Sequence, residues 1–223
     1  VHPERAGELD SMESSMLIMD LLFSLMNALP GQIVFLLGNH DSFSPEIMKG
    51  GVAQGVVWER FLTEQRGADY VAEMARFYRL SPVVALSESY VACHAGPPGS
   101  KVSRDELVDV HHQARLFHEL TWSRLKTPAF PAGYGRRDVR RFRKSLGLSP
   151  DATFVVGHYP LSSDSTVWTD IGRIEGHHLL YASAENEVAV MTRLDGELVP
   201  QIHPVEPLTA WINDNLAPGQ VPA

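Results

Sequence analysis

A chain of 223 residues, 44% of them hydrophobic, is long enough to bury the core of one α/β domain, and no linker or low-complexity stretch divides it. Its net charge of -8 speaks against a nucleic-acid partner, because phosphate backbones are held by basic surfaces. The single cysteine, Cys93, excludes an internal disulfide framework and fits a reducing, cytoplasmic setting.

In chain order, Glu4, Arg5, Glu8 and Asp10 precede any apolar segment, so the start does not read as a secretory leader. The Met- and Leu-rich stretch 12–29 is expected to form a helix lying on a sheet rather than a membrane span. Asp10 and Glu13 offer a capping box, Asp20 interrupts the apolar run, and Pro30-Gly31 stops it. An apolar strand is expected over 33–37, followed by helices over 54–66 and 69–79 split by Gly67. A strand over 90–93 leads to a helix opening at Ser103, which can cap the turn holding Glu106, and running to about Lys126. His111, His112 and His118 on that helix lack an i, i+4 pair and read as a polar face. Arg136, Arg137, Arg140, Arg141, Arg143 and Lys144 fall on a short helix closed by Gly147 and read as a solvated basic face, the alternative being a docking patch for an acidic partner. A strand over 154–156 is followed by strands over 179–182, 187–194 and 197–203, the last two joined by an Asp195-Gly196 turn. His177-His178 reads as structural, and the tail 204–223 is expected to hold a short helix over 208–215.

Three of these apolar runs end in the same way. The run 33–37 passes into Gly38-Asn39-His40-Asp41, 90–93 into His94-Ala95-Gly96, and 154–156 into Gly157-His158-Tyr159-Pro160. Polar residues just past buried strands of an open sheet stand where such sheets present ligand groups, so Asn39, His94 and His158 are expected to converge. Two imidazoles and an amide oxygen suit Mn, Fe or Zn better than Ca or Mg. Cys93, beside one of these ligands, reads as a buried strand residue rather than a nucleophile.

On these motifs the chain resembles the calcineurin-like metallophosphoesterases, in their phosphoprotein-phosphatase branch, from its start to about residue 200. GNHD, CHAG and GHYP are similar to the last three of that family's five blocks. Trp122-Ser123-Arg124 resembles its phosphate-contacting W-x-R segment, and Tyr181-Ala182-Ser183-Ala184-Glu185-Asn186 its closing S-A-P-N strand. The first two blocks, G-D-x-H-G and G-D-x-x-D-R-G, are absent. Val1-His2-Pro3-Glu4 is similar to the tail of a variant second block, which would put His2 in place of an aspartate and Pro3 in place of an arginine. The chain therefore reads as one phosphoesterase domain, 1–223, whose N-terminal metal-binding strands are missing. The resemblance implies an α/β fold, a four-layer αββα sandwich of two mixed sheets flanked by helices and lacking its first strands.

The same resemblance implies two divalent metal ions, one held by Asn39, His94 and His158 and the other by residues upstream of Val1. It makes His40 the general acid, also facing the phosphate, Asp41 a residue orienting His40 or its loop, and Arg124 a phosphate ligand. Taken alone, Arg124 would more often be a surface salt-bridge residue. The activity implied is hydrolysis of a phosphorylated protein or a small phosphate ester, with no nucleic acid and no membrane as partner. The absence of a further histidine two places after His158 favours a phosphatase over the nuclease-like branch. A dinucleoside polyphosphate hydrolase and a non-catalytic phosphatase-like binding module are the alternatives.

Overall fold

The computed structural model describes residues 12–162, 165–182 and 187–204. Helix α1, Glu13–Ala28, starts from Met12 without a side-chain cap, and Asp10 lies outside the described residues. Met12 and Met19 are buried while Ile18, Leu21 and Leu25 are exposed, so the helix is apolar beyond the face it buries. Among the described residues no helix is long and apolar enough to cross a membrane.

The expected strand over 33–37 is corrected. Among the described residues this segment joins no sheet, and its one backbone hydrogen bond runs from Leu37 N–H to Pro82 O, 2.9 Å. A strand is made by a laddered neighbour, which sequence pattern alone does not reveal. A small hairpin follows, β1 (Met48–Lys49) and β2 (Val52–Ala53), turned by Gly50 and Gly51, both at positive φ of 56° and 82°. That conformation over two central residues is the tight hairpin turn that glycine adopts without steric cost. Helices α2 (Gln54–Arg66) and α3 (Ala68–Leu80) come next, broken at Gly67 as expected.

The main sheet has five strands: β3 (Val84–Leu86), β4 (Tyr90–Cys93), β5 (Thr153–Val156), β6 (Val167–Trp168) and β7 (His177–Leu180). Their spatial order is β3-β4-β5-β7-β6, with β4, β5 and β7 parallel and the two edge strands antiparallel. Val91, Phe154, Val156 and Leu179 are buried on one face of these central strands, while the alternating residues Ala92, Val155 and Leu180 on the other face are partly buried. The chain is thus mixed α/β.

Two further expectations change. The helix from Ser103 is in fact three pieces: α4 (Arg104–Val108), a 3-10 turn (Val110–His112) and α5 (Ala114–Trp122). The Ser103–Glu106 capping box is present, but the segment bends so that His111 Nε2 reaches Ser81 O at 2.8 Å and Val110 enters the core. The strands expected over 179–182, 187–194 and 197–203, which the resemblance would group as the second sheet of the sandwich, are divided among the described residues. β7 joins the main sheet, whereas β8 (Glu187–Leu194) and β9 (Glu197–Pro204) make a hairpin of their own.

Helix α6 (Arg136–Ser145) ends before Gly147, at φ 76°. Its basic face is only partly solvated. Arg143 is 1% exposed, donating to Pro150 O at 2.6 Å and Glu175 O at 2.9 Å, so it ties the loops before β5 and β7 together. Arg141 pairs with Asp138 and Arg136 donates to Arg173 O. His177 is fully buried, its Nδ1–H donating to Phe154 O at 3.1 Å and its Nε2 accepting from the Tyr134 hydroxyl at 3.0 Å, so this member of the pair is held structurally, whereas the buried Nδ1 of His178 has no hydrogen-bond partner among the described residues. The segments 1–11 and 205–223, with the expected short helix over 208–215, lie outside the described residues.

Candidate metal centre

His94 follows β4 and His158 follows β5 by two residues, so adjacent parallel strands deliver both imidazoles to the same edge of the sheet. The Gly157 N–H donates to His94 O at 2.8 Å, tying the two strand ends together. His158 holds a left-handed backbone, φ 72°, a conformation that costs a non-glycine residue on the order of 1 kcal/mol and turns its ring toward His94. Asn39 follows the segment 33–37 and is buried, with Oδ1 2.8 Å from His94 Nε2. His158 Nδ1 lies 3.1 Å from the same Nε2. Residues 39, 94 and 158 are thus brought together around one atom.

That atom cannot satisfy both neighbours as an ordinary hydrogen-bonding group. A neutral imidazole nitrogen offers either one N–H or one lone pair. If Nε2 is protonated, one proton serves two acceptors; if it is bare, Asn39 Oδ1 faces it lone pair to lone pair. His158 Nε2 is buried with no hydrogen-bond partner among the described residues. Both rings are held neutral, His94 at about 4 and His158 at about 3, chiefly by desolvation, with His40 acting on the first and His94 and Arg124 on the second. Three electron-pair donors this close together, two of them within 2.8 and 3.1 Å of the third, with the proton disfavoured, fit a borderline divalent cation. Among the described residues no group of three or more His, Cys, Asp or Glu side chains is placed to hold a metal, so the third donor here is an amide oxygen.

The turn carrying Asn39 is built for close approach. A Cβ on Gly38 would sit 2.8 Å from His94 Nδ1, and the Gly38 N–H donates to Asp41 Oδ2 at 2.7 Å. Asp41 therefore fixes the loop. Burial raises its carboxyl pKa and the Gly38 N–H opposes that. His40 is exposed at the lip, 6.4 Å between ring centroids from Trp122, which in turn stands 6.0 Å from His158. Desolvation and the charge of Lys49 lower the His40 pKa, while the Gln54 amide opposes this.

Arg124 lies on the other flank. Its guanidinium is stacked 4.7 Å from the Phe130 ring centre and 5.2 Å from that of Tyr159, with no hydrogen-bond or ion-pair partner for its N–H groups among the described residues. Tyr159 also accepts the Leu125 N–H at 2.6 Å, so one side chain both supports the guanidinium and pins the strand it rises from. His112 pairs with Asp109 and His118 stacks on Trp122 at 5.9 Å, neither joining the centre. Cys93 is buried and its thiol is pushed up to about 12 by desolvation, which leaves it inert.

A cleft of about 430 Å³ opens over Asn39, His40, Asp41, His94 and His158, walled by Met19, Phe35 and Trp58 and including Lys49 and Gln54. Lys49, Gln54 and the aromatic cradle of Arg124 were not singled out from the sequence; the Gly50-Gly51 pair beside Lys49 is the one local signal that a turn would carry it. Of the resemblance, residues 1–4 and 183–186 lie outside the described residues. A scan against protein-family models returned no match, and a search of curated proteins returned none either.

Proposed function

We propose that this chain is a metal-dependent phosphoester hydrolase of the calcineurin-like kind, a phosphomonoesterase acting on a phosphorylated protein or a small phosphate ester. The observation that carries this reading is the meeting of Asn39 Oδ1, His94 Nε2 and His158 Nδ1 within 2.8 and 3.1 Å, from segments far apart in the chain. These three would hold one Mn, Fe or Zn ion of a pair. The proposal takes the ligands of the second ion from outside the described residues. It likewise takes the αββα sandwich as the parent architecture, with the five-stranded sheet and the β8–β9 hairpin belonging to its two layers.

When bound, such an ion supplies Lewis-acid charge and an ionised water at neutral pH. The remaining work falls to side chains. Arg124 presents a planar fork to two phosphate oxygens, its stacking between two rings fixing the plane of that fork. His40, next to a ligand yet open to the cleft, holds a proton for the leaving oxygen. The negative charge of a bound phosphate favours the protonated ring, opposing the desolvation that lowers its pKa in the free chain. Asp41 and Gly38 hold Asn39 and His40 in register.

The test is Mn titration by calorimetry beside hydrolysis of p-nitrophenyl phosphate. His94→Ala and His158→Ala are expected to abolish Mn binding, and His40→Asn to keep it while lowering turnover by about 10²–10⁴-fold. A folded chain that neither binds Mn nor hydrolyses the ester overturns the proposal and leaves a phosphatase-like binding module.

A further inference from the structure

The hairpin β1–β2 has its polarity reversed. Met48, the apolar residue, is 52% exposed, while Lys49 is half-buried and lines the cleft beside His40 and Gln54. Ordinary patterning would turn the methionine inward and leave the ammonium in water. The register is not free to slip, because Lys49 faces Val52 across a two-glycine turn at positive φ. The Lys49 ammonium has no ion-pair or hydrogen-bond partner among the described residues, in a chain of net charge -8 where carboxylates are plentiful.

The position of this cation relative to Arg124 is informative. Lys49 lines the same cleft as His40, whereas Arg124 is stacked on Tyr159, the residue after His158, and does not line the cleft. The two cations thus flank the centre, Arg124 on the side of His158 and Lys49 on the side of His40. In the reading above, His40 serves the leaving oxygen, so Lys49 stands where the leaving group lies. A cation there can steady the charge that develops on any departing oxygen, but it adds to ground-state binding only where the leaving group itself carries an anion.

Building on that reading, we propose that Lys49 forms a second anion subsite, and that the substrates carry a phosphoryl or carboxyl group on the leaving-group side of the scissile phosphate. The glycine turn presents Lys49 as a short arm at the cleft, whose lining also includes Phe35, Trp58 and Met19. This subsite selects among esters; it does not contribute to binding of the phosphate common to all of them.

The test is binding in metal-free buffer, which avoids chelation by the probe. Methyl phosphate, pyrophosphate and phosphoglycolate are titrated by calorimetry against the wild-type chain, Lys49→Gln and Arg124→Gln, with thermal unfolding as a check on folding. The wild type is expected to bind at least one of the doubly functional anions about tenfold more tightly than methyl phosphate. Lys49→Gln removes that advantage while leaving methyl phosphate binding within about twofold. Pyrophosphate preference alone names a phosphoryl group and phosphoglycolate preference a carboxyl group. An advantage that survives Lys49→Gln, or its absence in the wild type, overturns the subsite alone. Methyl phosphate binding that is unaffected by Arg124→Gln, or absent from the Mn-loaded chain as well as from the metal-free one, overturns the phosphoester reading and the subsite with it.

Discussion

His177 opens strand β7 and His158 follows strand β5, and burial pushes both imidazoles down to about 3. What separates them is satisfaction. His177 spends both nitrogens, on Phe154 O and the Tyr134 hydroxyl, whereas His158 keeps a buried Nε2 without a partner among the described residues and shares its Nδ1 with His94. A histidine neutral in the fold and ordinary when unfolded makes stability depend on pH. Above pH 6.5 the contribution is complete; as pH falls toward 3 the unfolded chain takes up a proton that the folded chain refuses, and stability drops by about 1.4 kcal/mol per unit for this one group. Urea unfolding of His177→Gln, measured across that window, is expected to show a shallower acid slope than the wild type, together with lower stability at pH 7. The backbone separates the two residues as well. Because His158 sits at φ 72°, His158→Gly is expected to be about 1 kcal/mol more stable than His158→Ala, although both lose the same imidazole. Which histidines face the site was legible from the GNHD, CHAG and GHYP strings. Which were satisfied was not, because that depends on Tyr134, a residue with no sequence relation to His177.

At the scale of elements, the sequence marked the strand ends well because β-branched runs, glycine and a polar residue coincide there. β4 and β5 lie where the pattern put them, and so do α2, α3 and α6. Pairing was the missing information. The run 33–37 has the composition of a strand but no ladder, and the helix expected from Ser103 breaks at Gln113, where φ and ψ of -117° and 78° let Val110 and Leu116 both reach the core. The basic helix misled for a related reason, since helical spacing shows which face is charged but not that Arg143 reaches two loop carbonyls beneath it. The loop after α5 illustrates what a tertiary crossing adds. Trp122 drew attention to Arg124, but its cradle comes from Phe130, six residues on, and from Tyr159 beyond β5. Tyr159→Phe keeps the ring under the guanidinium and removes the acceptor for the Leu125 N–H. It is expected to cost about 1 kcal/mol in thermal unfolding and to raise the KM for p-nitrophenyl phosphate with little change in kcat.

At the scale of the molecule, the parallel centre of the sheet and the turn at Asn39 approach the cleft with unequal security. His94 and His158 stand on strands laddered to neighbours on both sides. Among the described residues, the segment leading to Asn39 and His40 has one backbone hydrogen bond to the rest, from Leu37 N–H to Pro82 O, and Val34 is 64% exposed. Donors with such different anchorage share one centre, so the weaker anchorage sets how often that centre is whole. Amide protons report this directly. Those of Val34 and Phe35 are expected to exchange with deuterated solvent orders of magnitude faster than those of Val91 or Val155, by opening that leaves the sheet intact. A cation gripping Asn39 would fasten the loose segment to the sheet, and exchange at 33–39 would slow while β4 and β5 stay unchanged. Occupancy of the centre can therefore be read from a deuterium clock in the backbone, without any substrate.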